Sequence, residues 1–125
     1  MTQTLDLAHL PGLGPRLARI APIVAAWLRN ECRGRQAARP KATCTAELRR
    51  ILPGLSVRQF EAICHALACA AGDVGTSTKG YFWCLDDEDF AVAEAWLLPR
   101  FVPQRARYER VHRRRIELFG GPKLF

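Results

Sequence analysis

Lysine is almost missing from this chain. Lys41, Lys79 and Lys123 are the only three, so the excess of 19 Lys+Arg over 12 Asp+Glu, a formal charge of +7, is nearly all arginine. No apolar run approaches the ~20 residues of a transmembrane helix, which removes a membrane partner. The stretch from Met1 to Leu10 carries Asp6 and His9 and lacks a long apolar run, so it does not read as a signal peptide. With no signal peptide and an odd number of cysteines, at 32, 44, 64, 69 and 84, a disulfide framework is not expected and a reducing cytoplasm is the default. CxxC pairs are also lacking. A structural zinc site needs four ligands, commonly in such pairs. His65 and Cys69 stand one helical turn apart, with Cys64 and Cys84 as further candidates, but buried thiols explain these cysteines better. There is no Gly-rich phosphate loop, nucleophile motif or spaced carboxylate set, so the chain does not read as an enzyme and implies no cofactor.

What is present is an apolar fraction of 49% over 125 residues, ample for one packed domain. Arginine grips phosphate and base edges through paired N–H donors in a way lysine cannot. A small basic domain therefore points to an acidic partner, most often nucleic acid. Part of the arginine richness, alongside abundant alanine, is what a GC-rich genome would supply.

Residues 1–15 read as an N-terminal arm rich in turn formers, which Leu5, Leu7, Leu10 and Leu13 could pin to the core. A first helix is expected over Arg16 to Cys32, with Leu17, Ile20, Val24, Trp27 and Leu28 on one face. Pro15 suits its first turn, while Pro22 should either begin the helix or kink it. The basic connector Arg33 to Lys41 reads as a solvated loop or as an arm lying along phosphates.

Thr45 is placed to cap a second helix, with Leu48, Ile51 and Leu52 inward, ending at Pro53-Gly54. Ser56 and Gln59 form a capping-box pattern at the start of a third helix. Its inward stripe is Phe60, Ile63, Cys64, Leu67 and Ala71, and Gly72 ends it. The turn formers from Gly75 to Gly80 precede the aromatic run Tyr81-Phe82-Trp83, which predicts a small β-hairpin. Asp86 to Asp89 load acid onto the start of a last helix, where the helix dipole favours it. That helix should run from about Asp87 to Phe119, with Phe90, Ala93, Leu97 and Phe101 inward. Pro99 and Pro103 should bend or split it, and residues 120–125 should form a loose tail.

Helix, turn, helix and hairpin follow one another in the order of a winged helix–turn–helix, so the expected fold is mainly α with a small β-hairpin. In that fold the second helix of the pair enters the major groove by its N-terminal residues. Here those are Ser56, Arg58 and Gln59. Arginine pairs with guanine and glutamine with adenine in bidentate fashion. The wing offers Thr76, Ser77, Thr78, Lys79 and Tyr81 to the backbone. Arg105, Arg110, Arg113 and Arg114 make the last helix strongly basic, for phosphate contact, for subunit pairing, or simply as a solvated face.

Across residues 44–118 the sequence resembles the winged-helix domains of phage replisome organisers and related small phage DNA-binding proteins. Ser56 and Arg58, the wing Thr76-Ser77-Thr78-Lys79-Gly80-Tyr81 and the acidic Asp86 to Glu88 carry the likeness. The prolines of the last helix and the long basic connector depart from that pattern. The resemblance implies double-stranded DNA binding in a phage or mobile-element context, for replication or transcription control, with a homodimer left open. The other expectation is a small phage-encoded protein whose winged-helix surface binds and inhibits a host protein or ribonucleoprotein complex.

Overall fold

The computed structural model describes residues 12–120. It is mainly helical, with one two-stranded antiparallel sheet. The elements are α1 (Pro15–Glu31), a single 3-10 turn (Arg35–Ala37), α2 (Lys41–Leu48), α3 (Val57–Ala71), β1 (Val74–Ser77), β2 (Gly80–Trp83) and α4 (Asp87–Phe119). The chain divides into two compact units, Met1–Ala93 and Glu94–Phe125, and α4 spans the division. No described helix is long and apolar enough to cross a membrane. Of the four leucines assigned to the arm, Leu13 packs against the core, and Leu5, Leu7 and Leu10 lie outside the described residues.

Pro15 occupies the first turn of α1, where an N–H would have no partner anyway. The helix continues past Pro22, which is exposed, so it does not begin there. Its buried face is Ala18, Ala21, Val24 and Leu28. α3 is held at both ends as its sequence requires. The Ser56 hydroxyl accepts from the Gln59 N–H at 3.1 Å, and the Gln59 side chain accepts from the Ser56 N–H at 2.9 Å. Gly72 takes the left-handed conformation that terminates the helix. Phe60, Ile63, Cys64, Ala66 and Leu67 are buried along α3 and meet Val24, Leu28, Leu48 and Phe82 in one core. Because Leu67 is closed in, Leu67→Ala should cost about 2–5 kcal/mol in urea denaturation. A near-neutral result would mean α3 is misplaced.

Two expectations about local structure are corrected. Thr45 does not cap α2. Pro40 stands at the cap, and Thr45 is fully buried inside the helix, its hydroxyl donating to the Lys41 carbonyl at 2.7 Å. A buried threonine one turn into a helix satisfies itself in this way. Ile51 is not in the core. α2 ends at Leu48, the next residues turn, and Ile51 is 58% exposed. Trp27 packs against the core as expected, half-buried, with the Arg39 guanidinium 5.8 Å from its ring centre.

The connector is the largest correction, because it is neither a solvated loop nor a free arm. Arg39 exchanges backbone hydrogen bonds with Tyr81, at 3.1 and 2.8 Å, and Gly34 donates to the Trp83 carbonyl at 2.8 Å. The segment thus lies beside β2, on the edge opposite β1. Three of its four charges are paired as well, and Arg33 alone stays exposed with no carboxylate partner among the described residues. Arg39 pairs with Glu47 at 2.6 Å and Glu31 at 3.6 Å, and Lys41 pairs with Glu61 at 2.8 Å. Arg35 meets Asp86, Glu88 and Asp89 at 3.2, 3.0 and 2.8 Å.

The acidic run therefore does more than oppose a helix dipole. Asp86 caps α4 by accepting from the Asp89 N–H at 2.7 Å, and Asp89 is buried. Asp89 accepts from the backbone N–H groups of Leu85 (2.8 Å) and Arg35 (3.0 Å), and from the Arg35 guanidinium. Burial pushes the Asp89 carboxyl up, but these donors outweigh it and hold it below the usual carboxylate range. A folded-state value below the unfolded one stabilises at neutral pH. That contribution fades as pH falls past about 4 and on through the folded value. Asp89→Asn should accordingly destabilise at pH 7, and the gap to wild type should narrow in urea melts toward pH 3. A gap independent of pH would show that the carboxylate charge is not what matters.

In its first turns α4 buries Asp89 and Ala93 with Val92 half-buried, while Phe90 is exposed. The inward stripe is thus rotated from Phe90-Ala93-Leu97-Phe101, since a polar residue holds the inner position. The helix continues through Pro99 and Pro103 without splitting. Gly120, with positive φ, donates to Ile116 at its end.

Candidate nucleic-acid interface

With Phe60, Ile63 and Leu67 facing the core, the opposite side of α3 carries Arg58, Ala62, His65 and Cys69. Arg58 sits in the first turn and is exposed, and no carboxylate among the described residues pairs with it. A free guanidinium at a rigid helix start can offer paired N–H donors to a base edge or phosphate. Ser56 and Gln59 are different. Each already spends its side-chain acceptor on the capping box and is half-buried, so their work is to fix α3 rather than to reach outward. His65 belongs to the outward stripe although its sequence reading concerned only metal. The signal was its spacing of one and two helical turns from Ala62 and Arg58.

The hairpin tip is Thr78-Lys79, between the paired Ser77 and Gly80. Both tip residues are exposed, and neither has positive φ. The unusual conformation falls on Gly80, with φ of 126°. Ser77 is half-buried, and its hydroxyl accepts from the Lys79 N–H at 3.2 Å. Thr76 is half-buried within β1. Tyr81 is structural. Its ring packs edge-on to Phe60 at 5.2 Å, and burial pushes its hydroxyl up to about 12.

On α4, Arg105 pairs with Glu109 at 3.1 Å and Arg114 with Glu117 at 3.3 Å; all four side chains are well exposed. Such exposed pairs are weak, about 0–1 kcal/mol, so a phosphate could displace them. Arg110 and Arg113 are exposed on the same helix. At about 100° per residue the four arginines span roughly half the circumference, not one line.

The cysteines divide as their burial predicts. Cys32, Cys44, Cys64 and Cys84 are buried free thiols, and Cys69 alone is exposed. A mutual hydrogen bond holds the Cys32 thiol below, and the Cys44 thiol above, the ordinary cysteine value. Burial pushes Cys64 up and takes Cys84 to about 11. Cys69 Sγ lies 3.6 Å from His65 Nε2. Among the described residues, no group of three His, Cys, Asp or Glu side chains is placed to hold a metal ion. Comparisons with protein-family models, curated proteins and solved structures find no match for the chain.

Proposed function

We propose that this chain is a winged helix–turn–helix domain that binds double-stranded DNA, in a phage or mobile-element setting. The observation that carries this reading is the exposed Arg58, with no carboxylate partner among the described residues, in the first turn of a helix whose start is pinned by a reciprocal capping box. Two further features support it. The connector bridges to β2 and so braces the hairpin that would act as the wing. The hairpin following α3 ends in the exposed pair Thr78-Lys79. In this reading Arg58 reaches a base edge, with Ala62 small enough to admit the groove wall and His65 beside it. Thr78 and Lys79 hold phosphate. Ser56, Gln59 and Tyr81 set the geometry of both elements.

Substitution separates the roles. Arg58→Ala should cost about 1–3 kcal/mol at a selected site and blur sequence preference. Lys79→Ala should weaken all duplexes alike and lower the salt slope by about one unit. Duplex titrations by fluorescence anisotropy read both, and unchanged affinity in both variants sinks the reading.

A second reading, a small inhibitor of a host protein or ribonucleoprotein, is favoured by the exposed Leu97, Phe101, Tyr108 and Val111 on α4. Phosphate has no use for those side chains.

A further inference from the structure

Beyond Ala93, α4 is an amphipathic helix of unusual pattern. Leu97, Phe101, Tyr108, Val111 and Leu118 recur at intervals of 4, 7, 3 and 7 residues. That is the heptad spacing by which one helix packs against another. Gln104 and Arg115 fill the two remaining seam positions. All five apolar side chains are more than half exposed. Arg100, Arg107 and Arg114 stand every seventh residue along one edge of the seam. At about 100° per residue, Pro99 and Pro103 fall on the far side, so their missing N–H groups do not interrupt it.

We propose that this seam is a docking surface for an acidic amphipathic helix of a partner protein. Charge selects the occupant. In a parallel pair of α4 helices, Arg100 and Arg107 would face Arg105 and His112 of the other copy, and Arg115 would face itself. In an antiparallel pair, the arginine edges would face each other. Either arrangement places like charges in contact, which disfavours a second copy. An anionic lipid surface fits poorly too. Arg115 sits within the seam, and Arg105 and His112 share its second edge with the exposed Leu98 and Phe119, so charge interrupts the continuous apolar face that an interfacial helix buries. A partner helix with apolar heptads and glutamates along its edge would satisfy the apolar seam and all three edge arginines. The apolar seam residues play no part in the duplex-binding reading, which rests on Arg58 of α3; the two share only Arg114, so either can fail alone.

Two synthetic peptides of about 28 residues, with Ile and Leu at the core heptad positions, test the proposal. One carries Glu and the other Lys at the edge positions. The full-length chain should bind the Glu peptide at least about tenfold more tightly in fluorescence anisotropy. Val111→Asp should abolish that binding. Replacing Arg100, Arg107 and Arg114 together by Glu should reverse the preference toward the Lys peptide, an outcome that misfolding cannot produce. Equal binding of both peptides, or of neither, overturns the proposal. So does a wild-type dimer in sedimentation that Val111→Asp dissolves, which would assign the seam to a second copy. Binding to phosphatidylserine-containing vesicles that is lost in Val111→Asp would assign it to lipid instead, and likewise overturn it.

Discussion

Gly80→Ala is expected to be the most destabilising single-methyl change in the compact unit that ends at Ala93. Two causes coincide at this residue. Its φ of 126° lies where a side chain is strained. A Cβ there would also collide with the Arg39 carbonyl and come within 2.6 Å of the Pro40 nitrogen. Those are backbone atoms, so no rotamer change relieves them. The carbonyl in question accepts the Tyr81 N–H, so moving it breaks the pairing between connector and β2. The connector in turn carries Arg35 to Asp89 and Arg39 to Glu47. The loss should reach about 3 kcal/mol or more against a total of about 5–15 kcal/mol. For a domain of this size that lowers Tm by about 10 °C or more. Gly54→Ala is the internal control. Gly54 also has positive φ, 86°, but a Cβ there meets nothing within 4 Å. It should cost only the conformational strain, about 1 kcal/mol. Equal losses in the two variants would mean that β2 does not lie against the connector.

That contact was not legible in the sequence, for a physical reason. Arg33 to Lys41 contains no β-branched or aromatic residue, so nothing in its side chains marks pairing with a strand. The pairing is made by backbone groups and by the absence of a side chain at Gly80, sixth in the run Gly75 to Gly80 that read simply as turn. Asp89 was hidden in a similar way. A carboxylate on the inner face breaks the apolar rhythm, and its partner Arg35 is 54 residues distant. Where the information is local, the sequence was sufficient. Ser56 and Gln59 are three residues apart and satisfy each other, and Gly72 adopts a conformation other residues resist. The aromatic run after the turn formers pairs as a hairpin.

The candidate site shows the same division. Arg58, Thr78 and Lys79 are exposed as the pattern required. Gln59 and Tyr81 have the right chemistry for DNA but are already engaged, one by the Ser56 N–H and the other by Phe60 and the connector backbone. Residue type reveals what a side chain can bind, but not whether the fold has already used it.

Duplex affinity is expected to fall steeply with salt. If Arg58, Lys79 and the exposed arginines of α4 lie against a duplex, each neutralised phosphate releases condensed counterion. The log of the binding constant should then fall against log salt with a slope of about −0.9 per phosphate. Arg58, Lys79, Arg110 and Arg113 are exposed with no carboxylate partner among the described residues, and Arg105 and Arg114 are held only by exposed glutamates. Since the α4 arginines span half the helix, they cannot all meet one duplex, and each cation that does meet it adds one phosphate to the count. Contact with four to six phosphates would give a slope between about −3.6 and −5.4, so that moving from 50 to 200 mM salt weakens binding by roughly two to three orders of magnitude. Glu109→Gln and Glu117→Gln should raise affinity by freeing Arg105 and Arg114, with the gain shrinking as salt rises. The measurement is a titration of random duplex DNA at several salt concentrations. A flat response, or no binding even at low ionic strength, would remove duplex DNA as the partner.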